Sequence, residues 1–253
     1  MKMIGSYPAL DLWLGKLAGR SALSSAAGVA VANLPAMARR IDAHREIVRL
    51  GERAGYVCVV VDGTVARYEQ TQDGRRQFVA FHIAGDAPDL HSLMLPAAPA
   101  PLVALSATVV LQIPHAALRD AADRHPDLAA AMWRECVVDG QVMAEWLLNV
   151  GRRDSRGRLA HLLCEMAVRN DRIGALRRNV FPFPVTQEQI ADALGLTAVH
   201  VNRSLRALRE EGLVQVSRGE ARVLDWAALA HAGEFDPGYL HLPAAAAPAQ
   251  LAS

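Results

Sequence analysis

Apolar and polar residues alternate along this chain in two ways, and the change falls near Pro114. Before it the apolar runs are short and β-branched. Tyr56-Val57-Cys58-Val59-Val60-Val61 ends at Asp62-Gly63, residues 64–70 end at Gln72-Asp73-Gly74, and residues 77–83 end at Gly85-Asp86. Residues 102–113 form a longer run of the same kind. Such runs separated by Asp-Gly turns predict antiparallel strands folded as a sandwich or barrel. After Pro114 the period is helical. Residues 115–124 predict a short helix closed at His125-Pro126, and residues 126–150 a long one with Gly140 as its one glycine. Leu128, Met132, Val138, Val142, Trp146 and Leu147 recur at helical spacing within it. A helix of this length that is apolar on more than one face packs against a partner as well as its own domain. Leu128, Met132, Val138, Val142 and Trp146 are therefore the expected dimer interface. Residues 151–158 read as a basic hinge. Residues 158–169 read as an amphipathic helix burying Leu159, Leu162, Leu163 and Met166, and residues 170–184 as a basic connector.

The most informative pattern lies in residues 185–225. Thr186 is an N-cap for a helix over 187–194, Gly195 breaks it, and Leu196-Thr197 opens a second helix to about Glu211. Glycine suits the tight turn because it accepts positive φ without strain. Ala191 is small where the helices approach, and Ile190, Leu194, Val201, Leu205 and Leu208 supply a shared core, the pattern of a helix-turn-helix. At about 100° per residue, a buried Val201 leaves Val199, Arg203 and Arg206 facing outward, flanked by His200 and Asn202. That face suits a major groove, where an arginine can bond both O6 and N7 of guanine. Gly212 ends the helix, and residues 213–224 read as a β-hairpin wing with Ser217 and Arg218 at its tip, within reach of phosphates. Thr186, Gln187 and Thr197 at the helix starts complete the expected DNA-contact set.

Charge sharpens this picture. The chain has 253 residues, 52% of them apolar, and a net charge of only +1, so any polyanion must be met by a local concentration of cations. Arg203, Arg206 and Arg209 precede the first acid of their helix, Glu210, and residues 152–178 are rich in arginine with few acids. Three scattered cysteines, Cys58, Cys136 and Cys164, give neither metal-ligand spacing nor a disulfide framework, and fit a cytoplasmic protein. Cys136 is expected to be a buried, inert thiol. No run has the length of a membrane span. The alanine-rich residues 22–38 read as a helix or loop, and 243–253, alanine and proline, as a disordered tail. A glycine-rich phosphate loop, a nucleophile elbow and a zinc motif are all missing, and turn chemistry accounts for Asp86 and Asp89, so no enzyme is expected.

At these residues the sequence resembles the Crp/Fnr family, the cyclic-AMP-receptor-like regulators. The motifs are Asp154-Ser-Arg-Gly-Arg-Leu-Ala-His-Leu-Leu163, then Thr186-Gln-Glu-Gln-Ile-Ala-Asp-Ala-Leu-Gly-Leu-Thr197 with Val201-Asn202-Arg203 after it, and the similarity runs from about Tyr56. The resemblance implies an α+β chain with a β-roll, a cyclic-nucleotide-binding-like jelly roll, in 1–125. It implies a dimerisation helix over 126–150 and a winged helix-turn-helix over 151–242. It also implies a homodimer on a two-fold-symmetric duplex and contact with RNA polymerase. Two departures matter. Members that bind cyclic AMP hold it with Gly-Glu-Leu and a downstream Arg-Ser, whereas this chain has Gly85-Asp86-Ala87-Pro88-Asp89-Leu90 and no arginine or lysine until after Ala104. Met143 and Ala144 stand where those members place hydroxyls against the adenine. Cyclic AMP is thus not expected, nor an iron–sulfur cluster, since no cysteine precedes Cys58; haem stays open through His82 and His91, and the effector is unknown. In the recognition helix Val199 replaces the glutamate with which many members accept from cytosine, while Arg203 matches their guanine-reading arginine. Two other readings stay open: a vestigial sensor that needs no effector, and a winged helix that serves a protein partner.

Overall fold

The computed structural model describes residues 8–242; the expected tail at 243–253 lies outside them. Two helices, α1 (Pro8–Arg20) and α2 (Ser25–Ala32), open the chain. The strands β1 (Met37–Ile41), β2 (Glu46–Val48), β3 (Tyr56–Asp62), β4 (Val65–Gln70), β5 (Arg76–His82), β6 (Leu102–Ala104) and β7 (Thr108–Pro114) follow, with one 3-10 turn at Leu90–Leu93. Helices α3 (His115–Arg124), α4 (Pro126–Arg152) and α5 (Ser155–Arg172) lead to β8 (Val180–Pro182), α6 (Gln187–Leu194) and α7 (Ala198–Glu210). The hairpin β9 (Val214–Ser217) and β10 (Glu220–Val223), the helix α8 (Trp226–Ala232) and a second 3-10 turn at Pro237–Leu240 complete the described elements. This is the expected α+β order.

The chain divides into two compact units. The first holds the chain up to Tyr68 together with Phe81–Gly140, and the second Glu69–Ala80 together with the chain from Gln141 onward. The division thus falls inside α4, not at its ends, and gives the tip of the β4–β5 hairpin to the second unit.

Sheets ordered β1-β7-β3 and β2-β6-β4-β5 form the β-roll. The run Val57 to Val60 is apolar throughout because β3 is covered on both faces. Cys58 and Val60 point into a core with Ile47, Val65, Leu102 and Val110, while Val57 and Val59 point into a second core with Leu10, Trp13, Leu17, Leu111 and Leu128. Two expectations need correction here. Residues 102–113 are two strands in different sheets, broken at Leu105-Ser106-Ala107, where Leu105 N donates to Thr64 O at 2.8 Å. Residues 8–48, left without strands by the sequence reading, contain α1, β1 and β2. The spacing of Leu10, Trp13 and Leu17 marks a helix, but in β1 only Ile41 is buried, so no alternation announced it.

A further correction concerns α4. Leu128, Met132, Val138, Val142 and Trp146 are all buried within the single chain. Leu128 and Met132 join the core with α1 and α2, and Trp146 Nε1 donates to the buried Glu165 carboxylate at 2.9 Å. A second stripe faces outward: Trp133 is 68% exposed, Val137 50% and Leu147 75%, with Gly140 and Ala144 exposed between them. The spacing of four and three residues is that of a coiled-coil seam. A helix apolar on two faces gives two stripes in its sequence, and which one its own chain buries depends on helices elsewhere in the fold.

The second unit is built on α5, whose Leu159, Leu162, Leu163 and Met166 are buried as expected. Its Glu165, wholly buried, also accepts from Arg169 Nη1 at 2.8 Å and from Tyr239 OH at 2.9 Å, so both oxygens of the enclosed carboxylate have donors. The hinge is shorter than the expected 151–158, since α4 reaches Arg152 and α5 begins at Ser155, capped by Asp154.

Candidate nucleic-acid interface

Local chemistry fixes the two helices of the motif. Thr186 Oγ1 accepts from Gln189 N at 3.2 Å while Gln189 Oε1 accepts from Thr186 N at 2.8 Å, a capping box that satisfies two N-terminal donors of α6 at once. Gly195 closes α6 at φ +61°, a conformation that favours glycine, and a Cβ there would lie a tight 3.1 Å from Val150 Cγ1. The last carbonyls of α6 have no partner inside the helix. Ala193 O accepts from Gln77 Nε2 at 2.9 Å and Leu194 O from Arg158 Nη1 at 2.9 Å, while Arg76 pairs with Asp192 at 2.7 Å. Sequence reasoning missed Arg76, Gln77 and Arg158, because nothing local ties residues 76 and 77 to a helix 116 positions later.

Thr197 caps α7, accepting from His200 N at 3.3 Å. Ile190, Ala191, Leu194, Val201 and Leu208 form the buried seam. Ser204, not Leu205, sits in its middle; Leu205 is half-buried. The small serine lets the helix pack closely where a leucine would hold it off.

All ten expected contact residues are exposed: Thr186, Gln187, Thr197, Val199, His200, Asn202, Arg203, Arg206, Ser217 and Arg218. Eight belong to the helical motif. Asn202 Nδ2 donates to Gln187 Oε1 at 3.3 Å, joining the start of α6 to α7, and His200 Nδ1 lies 2.9 Å from Thr197 Oγ1. Arg206 Nε donates to Glu210 at 2.7 Å. Ser217 and Arg218 stand apart in the wing turn, where Arg218 takes φ +52° next to Gly219. The wing is held from behind by Ala221, paired with Val216 on one side and Phe181 on the other.

The β-roll carries a different chemistry. No arginine or lysine follows Gly85 in sequence until after Ala104, yet the fold brings Arg67 in from β4. Its Nη2 donates to Pro88 O and its Nη1 to Asp139 on α4 at 2.8 Å, so the buried cation is already matched by a carboxylate of the same chain. Asp86 is likewise met by Lys16 Nζ of α1 at 2.6 Å. Asp89 Oδ1 accepts from Cys58 N at 2.8 Å, and burial pushes its carboxyl up to about 7. Beside it lies a chamber of about 10 Å³, lined among others by His91, Ser92 and Leu102, which is room for one water. His82 is buried, and burial lowers the imidazole of His91. Burial raises the thiols of Cys58, Cys136 and Cys164, which keeps them in the unreactive form.

Residues 157–232 match the model of the Crp-like helix-turn-helix domain, and residues 38–125 that of the cyclic nucleotide-binding domain. The nitrogen fixation regulation protein FixK of Azorhizobium caulinodans is 31% identical over 188 residues, which cover 74% of each chain. The fumarate and nitrate reduction regulatory protein of Vibrio cholerae is 25% identical, covering 73% of this chain and 74% of the relative. Among solved structures, FixK2 of Bradyrhizobium japonicum superposes with a TM-score of 0.72 at 28% identity, over 78% of this chain and 97% of that one. With both halves of the architecture matched, and the recognition helix intact between its caps, the chain belongs to the Crp/Fnr family of DNA-binding transcription regulators.

Proposed function

We propose that this protein acts as a cytoplasmic homodimer that reads a two-fold-symmetric duplex, works through RNA polymerase, and catalyses no reaction. The observation that carries the reading is the outward face of α7, where Val199, His200, Asn202, Arg203 and Arg206 are all exposed and no acid occurs before Glu210. A basic, acid-free helix face followed by a wing is what a major groove and its flanking phosphates accept. The exposed seam of Trp133, Val137, Gly140, Ala144 and Leu147 supports pairing of α4 with α4 of a second copy; Gly140 and Ala144 would let the backbones approach closely.

Cyclic AMP is not the effector in this reading. Arg67, which reaches the Gly85 segment at Pro88 O, is held by Asp139, Asp86 is held by Lys16, and the adjoining chamber takes only a water. These three features favour a sensor whose charges along the Gly85 segment are met from within the chain, with DNA binding that needs no added ligand. Enrichment from a random duplex pool, with purified protein and no effector, tests the whole proposal. Recovery of an inverted repeat supports it. Recovery of a repeat only after a small molecule is added would overturn the effector-free part. Failure to enrich any sequence, with or without added candidates, would favour a protein partner for the winged helix.

A further inference from the structure

Val199 is 67% exposed in the first turn of α7, on the same face as Arg203 and Arg206. Nothing in the fold explains an isopropyl group there. It makes no contribution to the core, and a β-branched residue at an exposed helical position gains nothing from propensity. Every other exposed side chain on that face is polar: His200, Asn202, Arg203 and Arg206. A carboxylate that could accept from the amino group of cytosine is missing from the helix until Glu210, and Glu210 is taken up by Arg206 at 2.7 Å. In the major groove the one apolar feature a base edge presents is the C5-methyl group of thymine.

We infer that Val199 is a specificity determinant that reads a thymine methyl, and that thymine takes the place in the half-site where a carboxylate would have selected cytosine. The inference rests on the proposed reading of duplex DNA by α7. Geometry places the thymine as well as naming it. Val199 and Arg203 are four residues apart, about 6 Å along the helix, which corresponds to about two base steps. The thymine therefore lies within about two base pairs of the guanine bonded by Arg203. One methyl removed from water is worth about 0.8 kcal/mol, or about a fourfold change in affinity per half-site.

The experiment uses the full-length protein and the duplex it enriches, with each thymine replaced in turn by deoxyuridine, which differs only by lacking the methyl. The expected result is one thymine per half-site, within about two base pairs of the Arg203 guanine, whose replacement weakens binding about fourfold, and about fifteenfold when both half-sites are changed. In Val199→Ala the same replacement should have no effect, and Val199→Glu should enrich cytosine there while keeping the guanine. Deoxyuridine tolerated at every position of a recovered site would overturn the inference and leave DNA reading intact. Persistence of the full discrimination in Val199→Ala would do the same. A pool that yields no specific duplex at all would instead overturn the DNA reading, and the inference with it.

Discussion

Replacing Arg203 by alanine removes an exposed guanidinium from the outward face of α7, where the neighbouring Arg206 is occupied by Glu210. The expected cost is about 1–3 kcal/mol of binding, restricted to duplexes carrying the guanine. A titration against matched and mismatched duplexes checks this; an equal loss on both would make Arg203 a phosphate-binding residue. A second prediction concerns Asp89. Its folded carboxyl titrates at about 7 against 3.8 for the ordinary group, chiefly through burial. Between about pH 4 and pH 7 the folded chain keeps a proton that the unfolded chain has released. Stability from this group is therefore full below about pH 4 and falls as the pH rises toward 7, by up to about 4 kcal/mol. Urea unfolding at pH 5 and pH 8 should show Asp89→Asn gaining on the parent chain at the higher pH. Parallel behaviour at both would contradict the buried titration.

The α4 helix offers the sharpest test among the elements. Leu147→Glu on the exposed stripe should convert a dimer into a monomer in light scattering after gel filtration, with the unfolding midpoint of the chain little changed. Val142→Ala, on the buried side, should lower the midpoint and leave the dimer in place. The reverse pattern would return the interface to the residues first expected from spacing. This element also shows where sequence reasoning stops. The motif over α6, α7 and the wing was legible because its signals are local: a Thr cap at each helix start, a glycine at the break, and arginines spaced along one face. The bounds of α6 were read correctly from these alone. Which apolar stripe of α4 is buried was not legible, because elements elsewhere in the chain cover it: α1 and α2 at Leu128 and Met132, and α5 at Trp146. Arg67 was missed for the same reason: its partner Asp139 lies 72 positions away.

For the molecule as a whole, a net charge of +1 means that attraction to DNA must come from one side of it. Binding should weaken steeply with added salt, because each phosphate neutralised releases counterions. Arg218→Ala at the wing tip should weaken binding to all sequences alike. It should also flatten the logarithmic salt dependence by about two for a dimer, since each copy then neutralises one phosphate fewer. An unchanged slope would remove the wing tip from the phosphate-binding set.

Gln77 and Arg76 hold the end of α6 from a hairpin far upstream. The recognition motif is therefore not a detachable cassette. A chimera that grafts residues 151–242 onto a foreign sensor would leave the Ala193 carbonyl without its donor and Asp192 without its arginine. Swapping readers between such regulators, in the laboratory or over evolutionary time, requires the hairpin tip and the helix end to travel together.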